Sequence, residues 1–163
     1  MEPRWLDAEE QRTWRAYIAV SALLEDELDQ QLQNEAGMPH LYYWILAALA
    51  NSPERRLRMT ALAERVKVTR SRLTYAVSRL AKDGWLRRED SPTDKRGHLA
   101  VLTDEGAAIL ARAAPGHVAT VRAAIFDRLT PEQTRQFGDI LEIIHEGLHA
   151  GERARPADLP WRR

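Results

Sequence analysis

Arg70, Ser71, Arg72, Thr74, Tyr75 and Arg79 crowd hydrogen-bonding side chains into one short stretch, with Thr69 immediately before them. Between them Leu73, Ala76, Val77 and Leu80 recur at helical spacing, so the apolar set shares one face and the polar set the other. An arginine fork on such a face can bond O6 and N7 of a guanine, worth roughly 1–3 kcal/mol of discrimination. The hydroxyls of Ser71, Thr74 and Tyr75 suit phosphate, as do the free amides of a helix N-terminus. Helical rotation turns Arg72 more toward phosphate than toward bases. The plain alternative is a solvated helix face.

A second stretch suggests different chemistry. His145-Glu146-Gly147-Leu148-His149 matches H-E-x-x-H, in which two imidazoles one turn apart share zinc and the glutamate acts as base. The extended form of that motif wants Gly at 152 and His at 155, where Glu152 and Arg155 stand, and no third ligand is evident. Leu148 also belongs to an apolar stripe, so the histidines flank a packing face. Incidental metal binding by His145 and His149 remains an alternative to packing; a resident metal, a cofactor and catalysis are not expected.

The elements that must position these groups follow from periodicity and caps. Asp7 with Glu10 forms a capping box for a helix to Gly37, with Trp14, Tyr17, Ile18, Leu24, Leu28 and Leu32 as its stripe. A second helix spans His40 to Asn51, with Leu41, Trp44, Ile45, Ala48 and Leu49 facing inward. Leu57 to Met59 alternates like a short strand. Thr60 is placed to cap a helix ending near Val66, and Thr69 a helix ending at Asp83, with Gly84 left-handed. Trp85 to Glu89 and Leu99 to Leu102 read as hairpin strands. Thr103 caps a fifth helix through Leu129, with Pro115 expected to kink it. Thr130-Pro131-Glu132-Gln133 starts a sixth, carrying Phe137, Ile140, Leu141, Ile144 and Leu148.

Helix, turn, helix and charged hairpin in that order make a winged helix-turn-helix, whose partner is double-stranded DNA. The fold expected is mainly α: a winged helix-turn-helix with long N- and C-terminal dimerisation helices and a small β-hairpin wing. Residues 1–38 form the N-terminal dimerisation helix, 39–103 the DNA-binding lobe, 104–149 the helices completing the dimer interface, and 150–163 a mobile tail rich in Arg and Pro. The lobe alone is too small to cover both end helices, so a second copy is expected to cover them. A monomeric bundle of the two ends is the alternative.

Charge agrees with this reading once it is resolved along the chain. The 163 residues carry 24 Lys/Arg and 24 Asp/Glu, a net charge of zero. Between Pro53 and Ala100, however, 13 basic residues face 6 acidic ones, leaving the remainder acidic by the same margin. Only the local field decides where phosphate docks. Arg55, Arg56, Arg58, Lys67, Arg87 and Arg88 thicken that positive surface. The chain has no cysteine, which excludes disulfides, thiolate metal sites and thiol redox sensing. No apolar leader follows the charged first residues and no window approaches a membrane span, so a cytoplasmic protein is expected.

The run Asp94-Lys95-Arg96-Gly97-His98-Leu99-Ala100-Val101-Leu102-Thr103-Asp104-Glu105-Gly106 resembles the wing signature of the MarR family of bacterial transcriptional regulators. That signature is Asp-x-Arg, an alternating strand, then Leu-Thr-x-x-Gly; the helix order on either side, from about residue 7 to 149, is similar too. Ala100 stands where the family usually has a larger aliphatic residue. Lys67 holds the turn position that helix-turn-helix units often fill with glycine. The resemblance implies a homodimer with two reading helices in successive major grooves and two wings in minor grooves. It also implies a small aromatic or phenolic acid bound between the dimer core and the lobes.

Arg96 at the hairpin tip then suits a narrow minor groove. Asp94 would hold Arg96 by a charge-assisted bond, while Lys95 and His98 would meet phosphate. Trp14, Arg15, Tyr17, Trp44 and His117, with Tyr42 and Tyr43 nearby in sequence, could line a cavity in which Arg15 pairs an acid's carboxylate. Packing is the plainer role for such aromatics. The expected protein is therefore a ligand-responsive repressor binding a pseudo-palindromic operator. Two rival classes are a metallopeptidase and a sequence-blind DNA-packaging protein.

Overall fold

The computed structural model describes residues 3–91 and 94–153, leaving out the side chains at 91–96 and from 149 on. Six helices carry the fold: α1 (Ala8–Ala36), α2 (His40–Ala50), α3 (Met59–Arg65), α4 (Arg70–Lys82), α5 (Asp104–Ala124) and α6 (Pro131–Arg153). Three strands, β1 (Arg56–Arg58), β2 (Leu86–Ser91) and β3 (Asp94–Leu102), form an antiparallel sheet in the order β1-β3-β2.

The helix ends are fixed by local chemistry. Asp7 accepts from the amides of Glu9 and Glu10 while Glu10 accepts from the Asp7 amide, and Gly37 closes α1 at φ 62°. Thr69 caps α4 through the Arg72 amide, and Thr103 caps α5 through that of Gly106. Thr130 and Gln133 bond reciprocally at the start of α6. Thr60 does not cap α3: the helix begins one residue before it, and the Arg58 side chain at the cap position does not bond the first amides of the helix. The strand β1 sets that start, since its backbone runs directly into α3. The turn between α3 and α4 places Lys67 at φ 55°, the left-handed conformation that explains why glycine is common there.

The remaining differences are of extent. β1 covers Arg56–Arg58 rather than Leu57 to Met59, and the hairpin strands are longer than expected, with Trp85 outside them. α5 passes through Pro115 but stops at Ala124. Ile125 leaves helical geometry (φ −122°, ψ −71°), and a short 3-10 turn, Phe126–Arg128, replaces the expected last turn to Leu129. α6 continues to Arg153, into the segment read as a tail; residues 154–163 lie outside the description.

One core joins the inner faces of α2, α3, α4 and the sheet. Ile45, Leu46, Leu49, Leu62, Leu73, Val77, Leu80 and Leu86 are all essentially closed to solvent. Leu32 and Met38 extend it to the end of α1, and Ala113 to α5. Trp44, expected inward, is 46% exposed, with its indole N–H turned to the His40 ring one turn earlier. Toward the N-terminus of α1, Trp14, Tyr17, Ile18 and Leu23 are exposed; on α6 so are Ile140, Leu141, Ile144 and Leu148. Among the described residues α1 packs on α5 and α2, whereas α6 packs extensively on no other element.

Candidate DNA-binding surface

α4 separates its faces as the spacing requires. Leu73, Ala76, Val77 and Leu80 are buried, while Thr69, Arg70, Ser71, Arg72, Thr74, Tyr75, Ser78 and Arg79 are all exposed. Tyr75 leaves 67% of its surface to solvent, far more than packing would leave an aromatic ring. The Thr69 and Ser71 hydroxyls lie 3.3 Å apart at the N-terminus, where the helix amides add positive potential.

Two polar links that the sequence did not suggest set this surface. Arg88, from β2, donates to the Thr74 carbonyl (3.0 Å) and to the Ser78 hydroxyl (2.8 Å), which ties the strand to the polar face of α4. The Tyr42 phenol, on α2, lies close enough to Arg79 for the guanidinium charge to act on it. Burial nevertheless raises the Tyr42 pKa, with Tyr75 and Asp83 adding to the rise against the Arg79 charge, so the phenol stays protonated. Tyr42 thus lies beside the reading helix, near Tyr75, Arg79 and Asp83. Only helical register on α2 could have hinted at this, because the two residues lie far apart in sequence.

The surrounding cations are less available than their number implies. Arg56 pairs with Glu54 and lies 3.8 Å from Glu89; Arg87 meets Glu89 at 2.7 Å, and Arg55 meets Asp104 at 3.2 Å. His98 sits 3.3 Å from Asp90 across the hairpin. These exposed pairs contribute little to stability, but each carboxylate subtracts from the field a phosphate would meet. The hairpin itself is regular from Leu86↔Leu102 to Asp90↔His98, then shifts register. The side chains of Asp94, Lys95 and Arg96 lie outside the described residues.

The five residues suggested for an aromatic acid fall into two groups. Trp14 and Tyr17 stack with centroids 5.8 Å apart on an exposed part of α1, where Arg15 bonds the Gln11 carbonyl and side chain. Trp44 and His117 instead meet around the buried His40. Trp44 Nε1 donates to His40 Nε2 at 2.7 Å, and the His117 ring lies 5.4 Å from that of His40. An open groove of about 780 Å³ between α1 and the end of α5 is lined by Val20, Leu23, Leu24, Ala119, Ala123 and Arg128 among others, none of them from either group. His145 is exposed and the His149 side chain is outside the description; no metal-holding cluster exists among the described residues.

A MarR family model matches residues 36–97, the lobe whose geometry is given above. The crystal structure of Sco3205, a MarR family transcriptional regulator of Streptomyces coelicolor solved in complex with DNA, is 61% identical and covers 99% of both chains, with a TM-score of 0.89. AbsC, a MarR family transcriptional regulator from the same organism, is 36% identical, covering 91% of this chain and 99% of that one at a TM-score of 0.85. The Bacillus subtilis transcriptional repressor YetL is 33% identical over 112 residues; the chain spans 66% of its length. These relatives are regulators of transcription, not enzymes.

Proposed function

The chain belongs to the MarR family of transcriptional regulators, and from that premise we propose that it represses transcription as a homodimer bound to a pseudo-palindromic duplex. The polar face of α4 carries this reading: eight exposed donors and acceptors backed by four buried apolar residues. Arg70 reads base edges in the major groove, and Arg72, Thr74, Tyr75 and Arg79 hold phosphate or neighbouring bases. Arg96 enters the minor groove beside its Asp94 partner, and Lys95 and His98 reach phosphate. Sco3205, which shares the whole length of the chain, binds DNA, and YetL is a repressor; both support the assignment.

Dimerisation is supported by the exposed apolar residues of α1 and α6. Two helices with such faces are not left in water, and a second copy supplies equal area by symmetry. Two α4 helices then stand about one turn of duplex apart, which makes an inverted repeat the matching site. A small aromatic or phenolic acid that changes that spacing relieves repression. No helix among the described residues is long and apolar enough to cross a membrane, in keeping with a regulator that works on cytoplasmic DNA.

Selection of bound duplexes from a random pool tests the reading, with Arg70→Ala and Arg96→Ala as companions. An inverted repeat is expected from the native protein. Arg96→Ala weakens its binding strongly, and Arg70→Ala also relaxes base preference at one position by roughly 1–3 kcal/mol. Similar affinity for every sequence would instead favour DNA packaging, and unchanged binding by both variants would overturn the site.

A further inference from the structure

His40 is 4% exposed yet sits among polar groups from three directions. From α1, Glu25 Oε2 lies 3.1 Å from His40 Nδ1, and Asp29 accepts the His40 amide at 2.8 Å. From α5, His117 faces it; Glu35 and Gln31 of α1 crowd Gly116 beside that ring. From α2 itself, the Tyr43 ring lies 4.2 Å from that of His117, tilted by 37°, and Trp44 bonds His40.

The Trp44 bond fixes the state of the ring. An indole N–H only donates, so His40 Nε2 must be bare and the hydrogen must sit on Nδ1, facing the Glu25 carboxylate. A second proton has one place to go, Nε2, and there it meets the indole hydrogen head-on. His117 offers that proton no rival home. The His117 Nδ1 is buried without a partner, and burial, then the nearby His40, holds its pKa below the usual histidine value.

α2 is well placed to transmit the change. It packs on α1 and α5 and also on α3, α4, β1 and β3, and two positions before Trp44 its Tyr42 lies beside Arg79 of the reading helix. We propose that His40 is a proton-operated latch: protonation expels the Trp44 indole from His40 Nε2, loosens the seat of α2, and lowers affinity for DNA. The inference rests on the DNA-binding reading for its output. Its input, the loss of one indole bond, is observable without DNA. By linkage, bound DNA must in turn make His40 harder to protonate.

The test follows the 15N-labelled indole resonance of Trp44 in the full chain, identified by its absence from Trp44→Phe, together with affinity for the duplex recovered from the random pool. In the native protein the resonance moves in one step as pH is lowered, because the indole loses its acceptor when His40 Nε2 takes a proton. In His40→Gln it stays, because the amide oxygen still accepts the indole hydrogen and cannot be protonated. Between about pH 7.5 and 5.5 the native protein loses about tenfold more affinity than either variant, the equivalent of one hydrogen bond turned into a donor–donor contact. A resonance that ignores pH, or moves equally in His40→Gln, overturns the latch, as do three parallel affinity profiles. Should His40→Gln not fold, Trp44→Phe decides, since a half-exposed ring is removed and its affinity slope must flatten. A pool yielding no preferred duplex counts against the DNA reading, and the resonance alone then decides whether His40 holds and releases Trp44.

Discussion

Replacing Gly106 by alanine should destabilise the protein although alanine is the better helix former. Gly106 is in the first turn of α5, where its amide donates to the Thr103 cap at 3.0 Å. A Cβ built there falls inside the contact shell of the Trp85 carbonyl oxygen and 2.8 Å from both the Trp85 carbonyl carbon and Leu102 Cδ1. Backbone cannot swing aside as a flexible side chain can, so the first turn of α5 has to retreat. Retreat strains two bonds that join α5 to the wing base: Thr103 N–H to the Trp85 carbonyl at 3.2 Å and Thr103 Oγ1 to the Gly84 carbonyl at 2.7 Å. Overpacking costs about 1–3 kcal/mol and one weakened bond about 1 kcal/mol. Helix propensity returns up to about 1 kcal/mol. The net expectation is about 2 kcal/mol, read as a lower urea midpoint at unchanged slope and fixed protein concentration. A variant as stable as the native protein would refute the close approach of α5 to Trp85.

Two further outcomes are expected. Ile144→Glu, on the exposed apolar face of α6, should turn a dimer into monomer at micromolar concentration, as sedimentation would show; an unchanged mass would mean that this face is not the interface. Because His117 is held neutral in the folded chain while an unfolded histidine protonates near pH 6.5, its contribution is intact above that value and lost as pH falls below it. The urea midpoint should therefore drop more steeply below about pH 6.5 in the native protein than in His117→Gln, and equal slopes would contradict the burial of that ring.

Much of the architecture was legible because it is written locally. Asp7, Thr69, Thr103 and Thr130 each announce a helix that begins at the next residue, and Gly84 takes the left-handed conformation foreseen for it, as does Gly37 at the end of α1. The split of α4 into buried and exposed faces follows from periodicity alone. What stayed hidden is long-range or unsignalled. No glycine or proline marks the end of α5 at Ala124, and the start of α3 is dictated by β1 pairing with β3, not by the hydroxyl of Thr60. Trp44 looked like core because its spacing is apolar; that its N–H would serve His40 depends on Glu25 arriving from another helix. The links from Tyr42 to Arg79 and from Arg88 to Thr74 likewise join residues that only the folded chain makes neighbours.

The central position of β3 has a mechanical consequence. It pairs with β1, which runs straight into α3, and with β2, which follows α4, so both ends of the helix-turn-helix are anchored to a single strand. A unit closed in this way resists bending within itself and travels as one stiff plate. Any signal that alters grip on a duplex has to tilt that plate bodily, pivoting where α2 enters it and where Thr103 leaves it for α5.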